Sequence, residues 1–396
     1  MARRRATGVA IAGIITFLNM YSIQAVLPLV SGSFDAPISA AGLTITATTS
    51  AVALVAPVVG SVSDMLGRKR LIVAAIWGLI LPTLMAGLAG SLATLILWRF
   101  VQGLLLPFIF AVTIAYIADE TEGATTIRLA GTYSSGTIFA GFFGRFIAGW
   151  SAAFFGWRAA FAVLAGCTAL AAIAVGLILP KERNFRPVHG WRATRQGFAE
   201  HLRNPRLLGT YAVGFTVLFA IVATFTYANF MLAAPPYDLG PAELGSIFVV
   251  YLAGMVATPI ATRLAVRIGQ RQTLFASALA GAAGLALTLV PGLAAIIAGL
   301  ALFAAAAFVQ GALAIGYIGT AARRAKSTAV GLYVMVYYIG GSLGGVLPAG
   351  LWHRFGWPGC VWLCVAVEAA MLAAALATWR TPPPSPAAAR ATLPRE

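Results

Sequence analysis

"GSVSDMLGRKR", residues 60–70, sets one carboxylate, two glycines and three consecutive cations between two long apolar runs. Such a cluster is conspicuous in a chain that is 10% charged and 60% hydrophobic, with a mean hydropathy of +0.89. That balance, with 42 Gly and 20 Pro in 396 residues, lies far from that of a water-soluble domain. A helix needs about 20 mostly apolar residues to cross a bilayer. Twelve such stretches follow one another, near 8–30, 42–62, 71–89, 92–117, 128–150, 159–179, 207–232, 243–263, 273–291, 294–318, 328–351 and 358–379. The charged cluster is the connection between the second and the third.

The placement of the remaining charge gives an orientation. All Lys and Arg except Arg99, Arg145, Arg158 and Arg354 fall in the two tails or in the loops after even-numbered spans. Cytoplasmic loops of membrane proteins carry this excess of cations, so both termini are expected in the cytoplasm of a bacterial cell, at its inner membrane. The formal charge of +16 therefore reports topology, and no nucleic-acid partner is expected. Arg3, Arg4 and Arg5 precede an apolar run, as in a secretory signal, but the run continues through Pro28 without a small-residue cleavage site and reads as an uncleaved first span. Cys167, Cys360 and Cys364 lie in or beside spans and give neither a disulfide framework nor a metal spacing. The three His, 189, 201 and 353, are in loops, and no nucleophile has a base within reach, which argues against an enzyme and against a cofactor.

The longest hydrophilic interruption, 180–206, divides the spans six and six. Shifting the chain by 200 residues lays Gly131, Gly141, Gly144, Phe155, Gly156 and Trp157 onto Gly331, Gly341, Gly344, Phe355, Gly356 and Trp357. A shift of 202 lays Pro57, Gly67 and Lys69 onto Pro259, Gly269 and Arg271. The second half is a degenerate copy of the first. We expect an N-terminal bundle over 1–180, a linker over 181–206, a C-terminal bundle over 207–380 and a disordered cytoplasmic tail over 381–396. The linker is either a helix resting on the inner leaflet or a solvated strap. Parallel six-span repeats are the arrangement of transporters that rock about a site near the bilayer midplane.

The motifs carry a resemblance to a known family. Gly60, Asp64, Gly67, Arg68, Lys69 and Arg70 match the G-x-x-x-D-x-x-G-R-[KR]-[KR] signature of the major facilitator superfamily. "LILWRFVQG", 95–103, is similar to that superfamily's fourth-span L-x-x-x-R-x-x-Q-G motif. The resemblance covers residues 8–380 and implies the major facilitator fold: an all-α membrane protein of twelve transmembrane helices in two pseudo-symmetric six-helix bundles. It also implies that Asp64 meets the positive N-terminal end of span eleven when the cytoplasmic side is shut. Gly67 suits the turn and Gly60 a close helix approach. Asp119, Glu120 and Glu122 after span four are placed to pair with Arg68 or Arg70. In the second copy Val266 and Gln270 replace Asp64 and Arg68, so this latch is single.

Three ionisable residues remain inside predicted spans: Arg99, Arg145 and Glu368. Each costs at least ~2.5 kcal/mol to place in hydrocarbon and is a functional candidate by default. Arg99 and Gln102 share a face of span four and serve either the substrate or a structural hydrogen-bond network. Span five, "GTYSSGTIFAGFFGRFIAGW", resembles the G-x-x-x-G-P-x-x-G-G signature of the family's proton-driven exporters, with Arg145 where Pro is expected. Arg145 either joins Arg99 in a cationic pocket or snorkels outward as an anchor. Glu368, in the peripheral twelfth span, is a packing residue or a proton carrier. Asn19, Tyr21 and Gln24, Tyr227 and Asn229, Gln310 and Tyr317, and Tyr337 complete the expected cavity lining. These features point to a monomeric secondary transporter of a small molecule. The choice is between proton-coupled efflux of an amphipathic drug or metabolite and import or exchange of an organic anion held by Arg99 and Arg145.

Overall fold

The computed structural model describes residues 2–183, 200–322 and 326–379. Most of the expected linker and the whole C-terminal tail lie outside the described residues, and within them the chain is helical without a strand. The first helix, α1 (Arg3–Ser33), contains a 3-10 turn at Ser22–Val26. It is followed by α2 (Ile38–Leu66), α3 (Arg68–Gly87) and α4 (Leu92–Glu120). One helical stretch, Gly123–Ile178, turns at Gly156 with φ 82° and so divides into α5 (123–155) and α6 (157–178). The second half holds α7 (Pro205–Ala233), α8 (Pro241–Ile268), α9 (Gln270–Leu287) and α10 (Leu293–Ala321). Helix α11 (Lys326–Val346) carries on past a break at Leu347, and Gly356, φ 62°, turns the chain into α12 (357–378). Ten helical stretches are long and apolar enough to cross a membrane. Division at Gly156 and inclusion of the 18-residue α9 give the twelve read from the sequence.

The internal repeat is written in the backbone. Gly67 and Gly269, paired by the sequence shift, have φ 90° and 97°. Each starts the third helix of its half, in a region a side chain would resist. Gly156 and Gly356 do the same between the fifth and sixth helices. Each half has its own apolar core, one built around Ile72, Leu79, Leu106 and Phe161, the other around Leu274, Leu300, Phe303 and Val361. Large apolar side chains such as Leu54, Leu170, Leu177 and Trp362 face outward, as helices in contact with lipid require.

The N-terminus, the α2–α3 turn and the C-terminal ends of α4 and α6 lie together. Arg5 donates to the Glu120 side chain at 2.5 Å, the Arg183 amide donates to the same carboxylate at 2.6 Å, and Arg68 pairs with Asp119 at 2.9 Å. We call this end the basic face. Pairing of Asp119 with Arg68 follows the sequence expectation, whereas Glu120 takes Arg5 instead of Arg68 or Arg70. Arg70 lines a shallow surface hollow beside Lys69 and Glu182.

The halves meet at the opposite face through small residues. Thr46 donates to the Ser342 carbonyl at 2.7 Å and Ser342 to Thr49 at 3.0 Å, while the backbones of α2 and α11 touch at Gly42 and Gly345. A methyl group on Gly245 of α8 would stand 3.1 Å from the Gly149 Cα of α5, and Trp150 reaches Ser246 at 3.1 Å. Toward the basic face the same helices separate. A side chain added at Gly60, Gly131 or Gly331 would meet nothing within 4 Å, and Leu66 and Val266 are exposed. The close approach expected at Gly60 is thus absent in this state, because α2 has parted from α11 there. Asp64 likewise pairs with Arg68 of its own turn at 2.7 Å. The molecule is closed at the opposite face and open at the basic one.

Candidate functional site

Between the halves lies a cavity of about 460 Å³, within the size range of small-molecule sites. It runs from the middle of the bundle, at Tyr21, Arg145 and Tyr251, toward the basic face, at Ser134, Thr258 and Ile315. Helices α1, α4, α5, α7, α8, α10 and α11 contribute to it. Phe110 and Tyr338 stack across the two halves at 5.9 Å.

Arg145 marks the closed end. It is 1% exposed, its Nε donates to Gln24 Oε1 at 2.8 Å, Nη2 donates to the same oxygen and Nη1 to the Gly141 carbonyl. Three rings surround the guanidinium, Phe248 at 4.4 Å and Tyr21 and Tyr251 at 5.0 Å each. Cation–π attraction of this kind strengthens when the cation is desolvated. No carboxylate pairs with Arg145 among the described residues. Gln24 carries the connection onward to the second half: its Nε2 donates to Thr226 of α7 at 3.0 Å, and its carbonyl accepts from Asn229 at 2.6 Å.

Of the lining read from the sequence, Tyr21, Arg145 and Tyr337 border the cavity. Gln24 and Asn229 sit just behind its closed end. The others serve packing. Arg99 is fully buried inside the first half, donating to the Asn19 carbonyl at 3.0 Å, to the Met20 carbonyl and to Gln102 at 2.6 Å. Gln102 in turn reaches Thr83 at 2.7 Å, and Asn19 reaches Thr168 at 2.9 Å. These groups bond one another across α1, α3, α4 and α6, with Arg99 Nε left unpaired. Arg99 does not reach the cavity that Arg145 lines, so the two arginines form no common cationic pocket in this state. Tyr227 donates to the Gly345 carbonyl at 3.2 Å in the seam between halves. Tyr317 stacks on Trp379 at 4.1 Å and lines a separate hollow at the basic end of the second half. Gln310 donates to Glu368 at 3.2 Å, and both lie within the second half beside Gly281, away from the cavity. Glu368 is therefore buried within the second half and does not line the cavity.

Among the cavity residues that sequence reasoning passed over are four aromatic ones: Phe17, Phe110, Tyr251 and Phe308. In the sequence they are indistinguishable from other ring-bearing span residues. Only the direction each helix faces separates them.

Among the described residues, twelve apolar helices in two like halves surround a cavity, the arrangement of a membrane transporter. The chain belongs to the Major Facilitator Superfamily, whose sequence profile matches over residues 9–234 and again over 216–395. It is 33% identical to the inner membrane transport protein YnfM of Escherichia coli, across 88% of this chain and 84% of that protein. It is 29% identical to the MFS-type transporter YybF of Bacillus subtilis, across 88% and 87%. Among solved structures, a bacterial homologue of the lysosomal transporter Spinster, in its inward-facing and occupied conformation, superposes with TM-score 0.78 at 15% identity, over 96% of this chain and 98% of that one. The nucleoside transporter NupG gives 0.76 at 14% identity, over 95% and 100%. At those identities the likeness is one of fold.

Proposed function

We propose that this transporter carries a small amphipathic organic anion outward across the bacterial inner membrane by alternating access, with Arg145 as the anion's anchor. The observation that carries the reading is the buried Arg145 guanidinium, at the closed end of the cavity, without a carboxylate to balance it. A charge in the membrane interior is costly unless paired, and a substrate anion supplies the pair once per cycle. The excess of cations on the basic face supports placing that face in the cytoplasm, with the cavity loading from inside. The motif at residues 60–70 and the glycine-rich α5, which resembles the exporters' signature except for Arg145, support outward transport. When the basic face shuts, Asp64 meets the N-terminal end of α11. Glu368 is the acid we assign to proton coupling, since among the described residues it is the buried carboxylate with no cation partner. Counterflow in proteoliposomes, with and without a pH gradient, tests this. Organic anions are expected to exchange, accumulation is expected to need the gradient, and Arg145→Gln is expected to lose both. Exchange of neutral or cationic amphipaths with anions excluded contradicts the reading.

A further inference from the structure

Two buried hydroxyls point to what kind of anion the cavity takes. Tyr21 and Tyr251, 7% and 3% exposed, both line the cavity, and the hydroxyl oxygen of each is buried without a hydrogen-bond partner. Tyr333, farther along the same cavity, has a third such hydroxyl. Buried hydroxyls are nearly always paired, so orphans in a cavity wall need a reason. Of the three, Tyr21 and Tyr251 stand beside Arg145, each ring centroid 5.0 Å from its guanidinium carbon. That guanidinium itself has five N–H donors, and its described bonds go only to Gln24 and Gly141.

We infer that Arg145, Tyr21 and Tyr251 form one carboxylate seat, and that the cavity selects an aromatic carboxylic acid lacking an amine. The inference rests on Arg145 being the anion's anchor. A carboxylate offers about four lone-pair sites, enough to accept from the guanidinium fork and from both phenols together. The cavity of about 460 Å³ is far larger than a carboxylate, so the acid needs a body. Beyond the seat that body meets rings: Phe308 stands at 5.3 Å from Tyr251, and Phe110 stacks on Tyr338. Aromatic walls favour a flat ring through offset and edge contacts over a flexible chain. Among the described residues no Asp or Glu lines the cavity, so an ammonium group would enter unpaired, and a zwitterionic amino acid is disfavoured.

Binding to the purified full-length protein in neutral phosphatidylcholine nanodiscs tests this, with 2-naphthoate as probe. 2-Naphthamide, tryptophan, laurate and sulfate are the comparisons. We expect 2-naphthoate to bind at least tenfold tighter than each of the four. Tyr21→Phe and Tyr251→Phe, which keep the rings, should each weaken it about tenfold, as loss of a hydrogen bond to a charged group does. Laurate or sulfate binding as tightly as 2-naphthoate, or tryptophan doing so, overturns the aromatic-acid inference and leaves the anion reading intact. Naphthamide binding as tightly as naphthoate, or absence of binding by every anion, overturns the anion reading as well. Tyr→Phe variants that melt like the wild type and hold 2-naphthoate within twofold overturn the seat. Should either variant fail to fold, the five-ligand panel on the wild type decides alone.

Discussion

Arg99 and Arg145 are the same residue type, each in an apolar helix and each fully buried, yet they do different work. Arg99 spends its donors on two backbone carbonyls of α1 and on Gln102. It fixes α1 against α4 where the 3-10 turn begins. Arg145 leans on one glutamine oxygen, the Gly141 carbonyl of its own helix and three rings, and faces the cavity. Arg99→Lys replaces a planar fork by a point charge that cannot reach all three acceptors. It should lower stability by roughly 2–4 kcal/mol, at 1.5–3 per charged hydrogen bond. Ligand affinity should stay within threefold, as read by thermal denaturation and binding in detergent. Unchanged melting with lost affinity would put Arg99 at the substrate after all. The sequence made both arginines visible as buried charge. It could not separate them, because the difference lies in which neighbour each helix face meets.

At the scale of helices, the seam between α2 and α11 decides which face is shut. Its contacts are backbone and hydroxyl, made possible by Gly42 and Gly345, and small residues are how helices approach closely in a membrane. Gly42→Val would drive a side chain into the Gly345 carbonyl, so the opposite face should be propped apart and the basic face drawn together. Asp64→Asn should act in the other sense. It removes a charge whose attraction to the α11 dipole is worth about 0.3–2 kcal/mol, and so raises the fraction with the basic face open. Accessibility of an introduced cysteine at Ile315, exposed near the basic end of the cavity, reads both: labelling should slow in Gly42→Val and quicken in Asp64→Asn. Equal rates in the two variants would remove the seam and the latch from the account. Gly67 was legible as a turn, whereas Gly156, Gly269 and Gly356 were legible only as repeat positions, and their backbone turns came from the structure. The seam was not, since Gly42 reads only as the start of a span, and Gly60 reads as a contact that this state does not make.

The whole molecule is a pair of six-helix units, recognisable in sequence from span count, charge placement and the 200-residue shift. Which units touch, and on which side, depends on conformational state, and a sequence encodes every state of the cycle at once. Each face also offers an exposed reporter in either half. Leu66 and Val266, just before Gly67 and Gly269, lie on the basic face, exposed at 57% and 87%. Phe155 and Phe355, matched by the 200-residue shift, lie at the opposite face, exposed at 75% and 63%. With Cys167, Cys360 and Cys364 replaced by alanine, spin labels at either pair give distance distributions by pulsed electron resonance in nanodiscs. The central claim is alternating access, so the two pairs must change in opposite directions. Going from the unpropped protein to Gly42→Val, the account predicts that the 155/355 distance lengthens while the 66/266 distance shortens. Lengthening of 155/355 with 66/266 unchanged, or lengthening of both, would mean gates that open independently and would contradict it.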